Sequence, residues 1–186
     1  MAQADGAALA FSPEHTQIQF TLPATFHEVH GTLKLQRGEL HFDEGSGSAS
    51  GTLVIDARSA ETGNSRRDAN MHSDVLESEK YPEIAFTAER VELKRQDADR
   101  SDAVLHGRVK IHGGVRPLDI PAQVERRTDD SVRVRASFAV PYVKWGIQDP
   151  SNYVLHVAPE VQVTVDATAR YTADGAAPAD ASESAP

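Results

Sequence analysis

The sequence contains no cysteine. A disulfide framework, a thiolate metal site and a cysteine nucleophile are therefore excluded, and the chain suits an oxidising or a reducing compartment equally. Positive charge is scarce: 19 Lys and Arg stand against 28 Asp and Glu, a formal net charge of -9. Such a balance opposes binding to nucleic-acid phosphates and adsorption on anionic lipid, so nucleic acid is not an expected partner. No apolar run approaches the roughly 20 residues needed to cross a bilayer, and no basic start followed by an apolar stretch marks an intact signal peptide, so stable membrane insertion is not expected. Catalytic signatures are missing too. There is no G-x-S-x-G elbow and no zinc-protease motif, and "EGSGSASG" lacks the Lys and spacing of a nucleotide cradle and reads as a hairpin loop. Nothing here calls for a cofactor.

What is present is alternation. At 186 residues the chain is long enough for one domain with a substantial core. Residues 1–10, small and Ala-rich, and residues 172–186, without large apolar side chains, read as flexible tails that leave 11–171 as the domain. The Ala-rich start fits the mature end of an exported chain, periplasmic or secreted, although a cytoplasmic tail looks the same.

In "VQVTVDATARY", Val161, Val163, Val165, Ala167 and Ala169 share one side. In "SVRVRASFAV" the dry side holds Val132, Val134, Ala136, Phe138 and Val140; in "VLHGRVKIHG" it holds Leu105, Val109 and Ile111. Ile18, Phe20 and Leu22, then Leu53 and Ile55, follow the same rule, which marks strands with one wet and one dry face. In "EIAFTAERVEL" the phase of Ile84, Phe86 and Ala88 slips before Val91 and Leu93, and a bulge near Glu89 accounts for it. Gly, Asp and Ser clusters separate the runs at short spacing, which favours antiparallel neighbours. Eight or nine such strands must close into a barrel or stack as a sandwich to hide their dry faces.

One segment breaks the pattern. Residues 58–82, "RSAETGNSRRDANMHSDVLESEKYP", are polar, and a helix from Asn64 to Leu76 with an amide cap and a sparse apolar side of Met71, Val75 and Leu76 explains them. It would cover one mouth or flank of the sheet. Arg66, Arg67 and Asp68 can grip an anion, but an Arg and Asp pair tying helix to loop is the simpler account. His27 and His30 in "FHEVHG" suggest a metal site completed by His72 or His156, yet residues three apart on a strand face opposite ways. His106 and His112 fall on a wet face and read as solvated. Tyr142 and Trp145 in "VPYVKWGIQDPSNY" can close a barrel mouth or plug its core.

The order of motifs resembles the YceI-like family of bacterial polyisoprenoid-binding proteins. The likeness starts at "FSPEHTQIQF" and continues through "SAETGNSRRDANMHSDVLESEKYPEIAF", with Ser59, Thr62 to Asn64, Arg67, Asp68, Lys80 to Pro82 and Phe86 at family positions. It runs on through "LHGRVKIHGGVRPLDIPAQV" and "VPYVKWGIQDPSNYVLHV". Asn70 stands where the family has His, Met71 where Leu is usual, and "DVLESE" where a Phe-rich run is usual.

The resemblance implies an all-β, extended eight-stranded antiparallel barrel, lipocalin-like, with a short helical insert near 64–76. Its apolar channel would hold an isoprenoid-like lipid, a quinone or a prenyl phosphate, without catalysis. Strands of about ten residues at about 3.3 Å each give a channel on the order of 30 Å long. The expected wall is Phe20, Leu22, Leu33, Leu53, Ile55, Phe86, Val109, Ile111, Val134, Phe138, Val140 and Val163. Met71, Leu76, Tyr142 and Trp145 are expected at the mouth, with Arg67 as a head-group contact. A homodimer is compatible with this reading. The rivals are a metal-dependent enzyme built on the histidines and a filled barrel serving as an interaction module.

Overall fold

Extended chain with period-two alternation can bury its apolar row only by curling around it, and this chain does so. The structure is a computed structural model, and it describes residues 6–128, 130–152 and 156–173. Its strands are β1 (Gly6–Phe11), β2 (Thr16–Pro23), β3 (Glu28–Asp43), β4 (Ala49–Glu61), β5 (Glu83–Gln96), β6 (Arg100–Ile111), β7 (Gly114–Thr128), β8 (Ser131–Val140) and β9 (Val161–Ala173). Each pairs antiparallel with its neighbour, and the sheet closes where β4 pairs with β3. β1 and β2 both lie between β3 and β9: Leu9 pairs with Leu40 and Tyr171, Phe20 with Gly31 and Val163. They are two halves of one strand position, broken by the 3-10 turn Pro13–His15. Nine segments therefore make an eight-position antiparallel barrel, as expected.

β1 corrects the tail assignment. Residues 6–10 are a strand with Ala7 and Leu9 buried. Alanine and glycine give no strong strand signal there, but the exposed edges of β3 and β9 supply the hydrogen-bond partners that order the segment. At the other end β9 runs to Ala173, and the expected tail beyond it lies outside the described residues.

The bulge anticipated near Glu89 is present as a register shift between Ala88 and Arg90 against β6. Beyond it the inward phase fades, and Leu93, expected on the dry face, is half exposed. Two inward positions carry glycine for a steric reason. A Cβ on Gly31 would collide with the Phe20 ring, and one on Gly107 with the Phe86 ring. Their absence lets both rings lie across the neighbouring strand.

The polar segment between β4 and β5 is helical. Asn64 caps α1 (Ser65–Asn70) by accepting from the Arg67 backbone N–H at 3.0 Å, and a π turn over Met71–Val75 ends it. His112 at the β6–β7 turn anchors the return from this turn to β5. It adopts φ 49°, packs on the Tyr81 ring with centroids 4.8 Å apart, and brings Nε2 to 2.5 Å from Glu77 Oε2, itself in a residue at φ 44°. The approach is close, but it does not have the geometry of an aligned hydrogen bond. His112 is thus mostly buried, not solvated as its strand phase suggested.

Candidate functional site

Inward side chains of all eight strand positions enclose a cavity of about 860 Å³ that opens beneath α1 and the segment between β8 and β9. Its wall is apolar: Ile18, Phe20, Leu33, Leu53, Phe86, Val109, Phe138 and Val163 are typical. A second depression of about 620 Å³ lies on the outer face over Gln17, Gln19, Gln123 and Arg135. That one mixes polar outward side chains with small apolar ones such as Ala103, Val104 and Pro121, whereas the interior has a continuous apolar wall and is the candidate site.

The cavity is blind. At the end away from α1, Leu9, Val132 and Ala169 pack with Phe42, Val124 and Tyr171 into a solid plug, which Phe11 and Val134 share with the cavity wall. Inward positions line the cavity from Thr16 to Leu22 on β2, Leu105 to Ile111 on β6 and Val134 to Val140 on β8, and over a longer stretch, Val29 to Leu40, on β3. At about 3.3 Å per residue the shorter runs are on the order of 20 Å and the β3 run on the order of 36 Å, either side of the roughly 30 Å expected from strand length.

The mouth is where polar groups gather. Tyr142 is buried, donates its hydroxyl to the Ala158 carbonyl at 2.8 Å, and has its pKa pushed up to about 12 chiefly by burial, so it stays neutral. Asp149 is held below the usual carboxylate range by hydrogen bonds from the Ser151 hydroxyl and backbone N–H, which keep it charged at the rim. Arg67 lines the cavity, but its guanidinium is already engaged. Nε donates to Thr62 Oγ1 at 2.8 Å and Nη2 to the Thr62 carbonyl at 3.2 Å, while Asp68 accepts from the Thr62 backbone N–H and hydroxyl. It ties helix to strand, so the expected head-group role is not what its geometry favours. Arg66, exposed and on the cavity rim, has no such tie among the described residues.

Each residue expected at the wall or mouth lines this cavity: Phe20, Leu22, Leu33, Leu53, Ile55, Phe86, Val109, Ile111, Val134, Phe138, Val140 and Val163 inside, Met71, Leu76, Tyr142 and Trp145 near the opening. Whether they touch a ligand is a separate question. Sequence reasoning left out Leu118 and Ile120, which Pro117 and Pro121 disguised as a turn, and Ile147, whose segment has no strand period.

The histidines do not converge. His30 contacts Thr21 Oγ1 at 3.1 Å, and His72 is held between Ser78 Oγ and the Ala60 carbonyl, each at 2.9 Å. Among the described residues no group of three His, Asp or Glu side chains is placed to hold a metal. His106 bridges Asp119 at 2.7 Å and Glu92 at 3.4 Å on the outer face.

Comparison with known proteins agrees with this architecture. Over 104 residues the chain is 31% identical to Protein YceI of Escherichia coli O157:H7, and likewise to that of Shigella flexneri, covering 55% of this chain and 52% of each relative. It thus spans about half the length of the curated relatives it matches. Among solved structures, Burkholderia cenocepacia BcnA superposes with a TM-score of 0.67 at 13% identity, over 85% of this chain and 98% of that one. A polyisoprenoid binding domain from Saccharophagus degradans, implicated in plant cell wall breakdown, gives 0.65 at 16% identity over 89% and 98%. At such identities these likenesses show the fold. The family model for the YceI-like domain matches residues 9–169, nearly the whole barrel, and the chain belongs to the YceI-like family.

Proposed function

We propose that this barrel binds and carries a long-chain isoprenoid-like lipid without catalysing a reaction. The observation that carries the reading is the blind apolar cavity with its charged groups confined to the mouth. A prenyl chain has almost nothing to hydrogen-bond, so its affinity must come from apolar area removed from water, at roughly 25 cal/mol for each Å². A long apolar wall with a single opening supplies that, and the name of the Saccharophagus degradans neighbour agrees with it.

Charge at the rim bears on the head group. Arg66 and Arg67 are matched by Asp74 and Asp149, and Arg67 is occupied by Thr62. With the chain at -9 overall, the mouth offers no surplus of positive charge to a phosphate. A neutral head group with hydrogen-bond acceptors, such as a quinone, fits better than a prenyl phosphate.

The test is displacement of a fluorescent prenyl probe, alongside mass spectrometry of organic extracts from gently purified protein. Prenylquinone is expected to displace the probe more strongly than the prenyl diphosphate of equal length. Stronger displacement by the diphosphate would overturn the head-group assignment. Failure of every prenyl compound to bind, with no extractable lipid, would overturn the carrier reading.

A further inference from the structure

The plug at the far end of the barrel stands on β1, the segment whose sequence carries the weakest strand signal. Leu9 enters it directly, paired with Leu40 on β3 and Tyr171 on β9. Phe11, two residues on, points the same way and forms part of the cavity floor, beside Val134 from β8. From that floor to the mouth the wall runs six residue steps along β2, β6 and β8, and nine along β3, from Gly38 opposite Phe11 to Val29 opposite Leu22. Strand tilt of about 40° turns these into roughly 15 to 23 Å along the barrel axis.

An isoprene unit adds four main-chain carbons, about 5 Å when extended, given carbon–carbon bonds near 1.5 Å. The axial depth therefore takes about three to five units in a straight line. The cavity's volume of about 860 Å³ sets the upper limit for a chain that bends back on itself. At roughly 30 Å³ for each heavy atom, as in a liquid, it holds on the order of six units.

We propose that this plug acts as a ruler: the cavity accommodates about three to six isoprene units, and Phe11 and Val134 are the residues that set the limit. The inference rests on the carrier reading. Carbon beyond the limit stays at the mouth in water and adds nothing to binding, so affinity rises with chain length and then levels off.

The experiment measures displacement of a fluorescent prenyl probe by geranyl, geranylgeranyl, hexaprenyl and nonaprenyl alcohols at fixed detergent concentration. For the full-length protein, geranylgeranyl alcohol is expected to bind at least about tenfold tighter than geranyl alcohol, because ten further carbons are buried. Nonaprenyl and hexaprenyl alcohols should then agree within about threefold, since no further area leaves water. Phe11→Ala lowers the floor, so nonaprenyl alcohol should gain several-fold over hexaprenyl alcohol. Val134→Phe raises it, so hexaprenyl alcohol should fall to the level of geranylgeranyl alcohol.

An affinity that keeps climbing from hexaprenyl to nonaprenyl alcohol in the unmodified protein would overturn the ruler and leave the carrier reading intact. So would a levelling-off that neither variant moves. If none of the four alcohols displaces the probe, both proposals fall. The comparison within the unmodified protein decides the matter even if Phe11→Ala folds poorly.

Discussion

A single hydroxyl shows how much a wall of this kind depends on chemistry at each position. Thr16 occupies an inward phase on β2 with Ile18, Phe20 and Leu22, and its Oγ1 is buried without a hydrogen-bond partner among the described residues. A buried polar group left unpaired costs on the order of 1–3 kcal/mol. Thr16→Val keeps the shape and suits a strand, so it is expected to raise unfolding free energy by about 1 kcal/mol in urea denaturation. A loss of stability would show that the hydroxyl has a partner in solution. At this scale the sequence was most informative where strands are regular. Val134, Phe138 and Val140 were readable because nothing interrupts their alternation. Leu118 and Ile120 obey the same rule, but Pro117 and Pro121 flank them and read as breakers. The structure tolerates both prolines because β7 pairs with β8 only from Ala122 onward, so the missing N–H groups cost no ladder bond on that side.

Among the elements, the polar insert and β1 sit at opposite ends of the barrel and were legible to opposite degrees. The insert announced itself through polarity and through Asn64, whose cap is realised. Its local fastening was legible too, as an Arg and Asp pair tying helix to loop: Asp68 and Arg67 meet at Thr62. What the sequence withheld was the contact of Glu77 with His112 at the β6–β7 turn, which joins segments distant along the chain, so no local pattern encodes it. β1 stayed hidden because Gly6, Ala7 and Ala8 carry little hydrophobic signal, and pairing on both sides decides their state. The fastening leads to a kinetic expectation. Asp68→Ala leaves the Thr62 N–H and hydroxyl without their acceptor, at a cost of about 1–3 kcal/mol. Because the apolar wall is untouched, the loss should appear mainly at the cover of the mouth. Stopped-flow release of a prenyl probe is expected to speed up several-fold with a smaller change in uptake. Unchanged release would show that the insert is not a cover.

For the whole molecule, the governing fact is that the barrel is core at one end and hollow at the other. The plug buries its side chains against protein, whereas the wall from Leu40 and Phe86 towards the mouth faces space on its inner side. Side chains facing a void forgo dispersion contacts on that side, so the empty barrel is less stable than its strand pairing alone would make it. A ligand that fills the void completes the core. Binding to the folded state alone stabilises by about 2.7 kcal/mol when free ligand is 100 times its dissociation constant, and the melting temperature then rises with ligand concentration. Phe138→Trp separates a hollow wall from a packed one. In a close-packed core the larger ring costs about 1–3 kcal/mol through overpacking. In this cavity Phe138 borders open space beside Val140 and Val163, so the variant should unfold within about 1 kcal/mol of the parent while filling part of the volume. Its ligand-dependent rise in melting temperature should shrink correspondingly. Urea unfolding and thermal melts of both proteins, with and without hexaprenyl alcohol, measure the two effects together. A variant that loses about 2 kcal/mol or more while the parent gains nothing from the alcohol would mean that the space is closed in solution, and that the barrel is a packed core instead of a carrier.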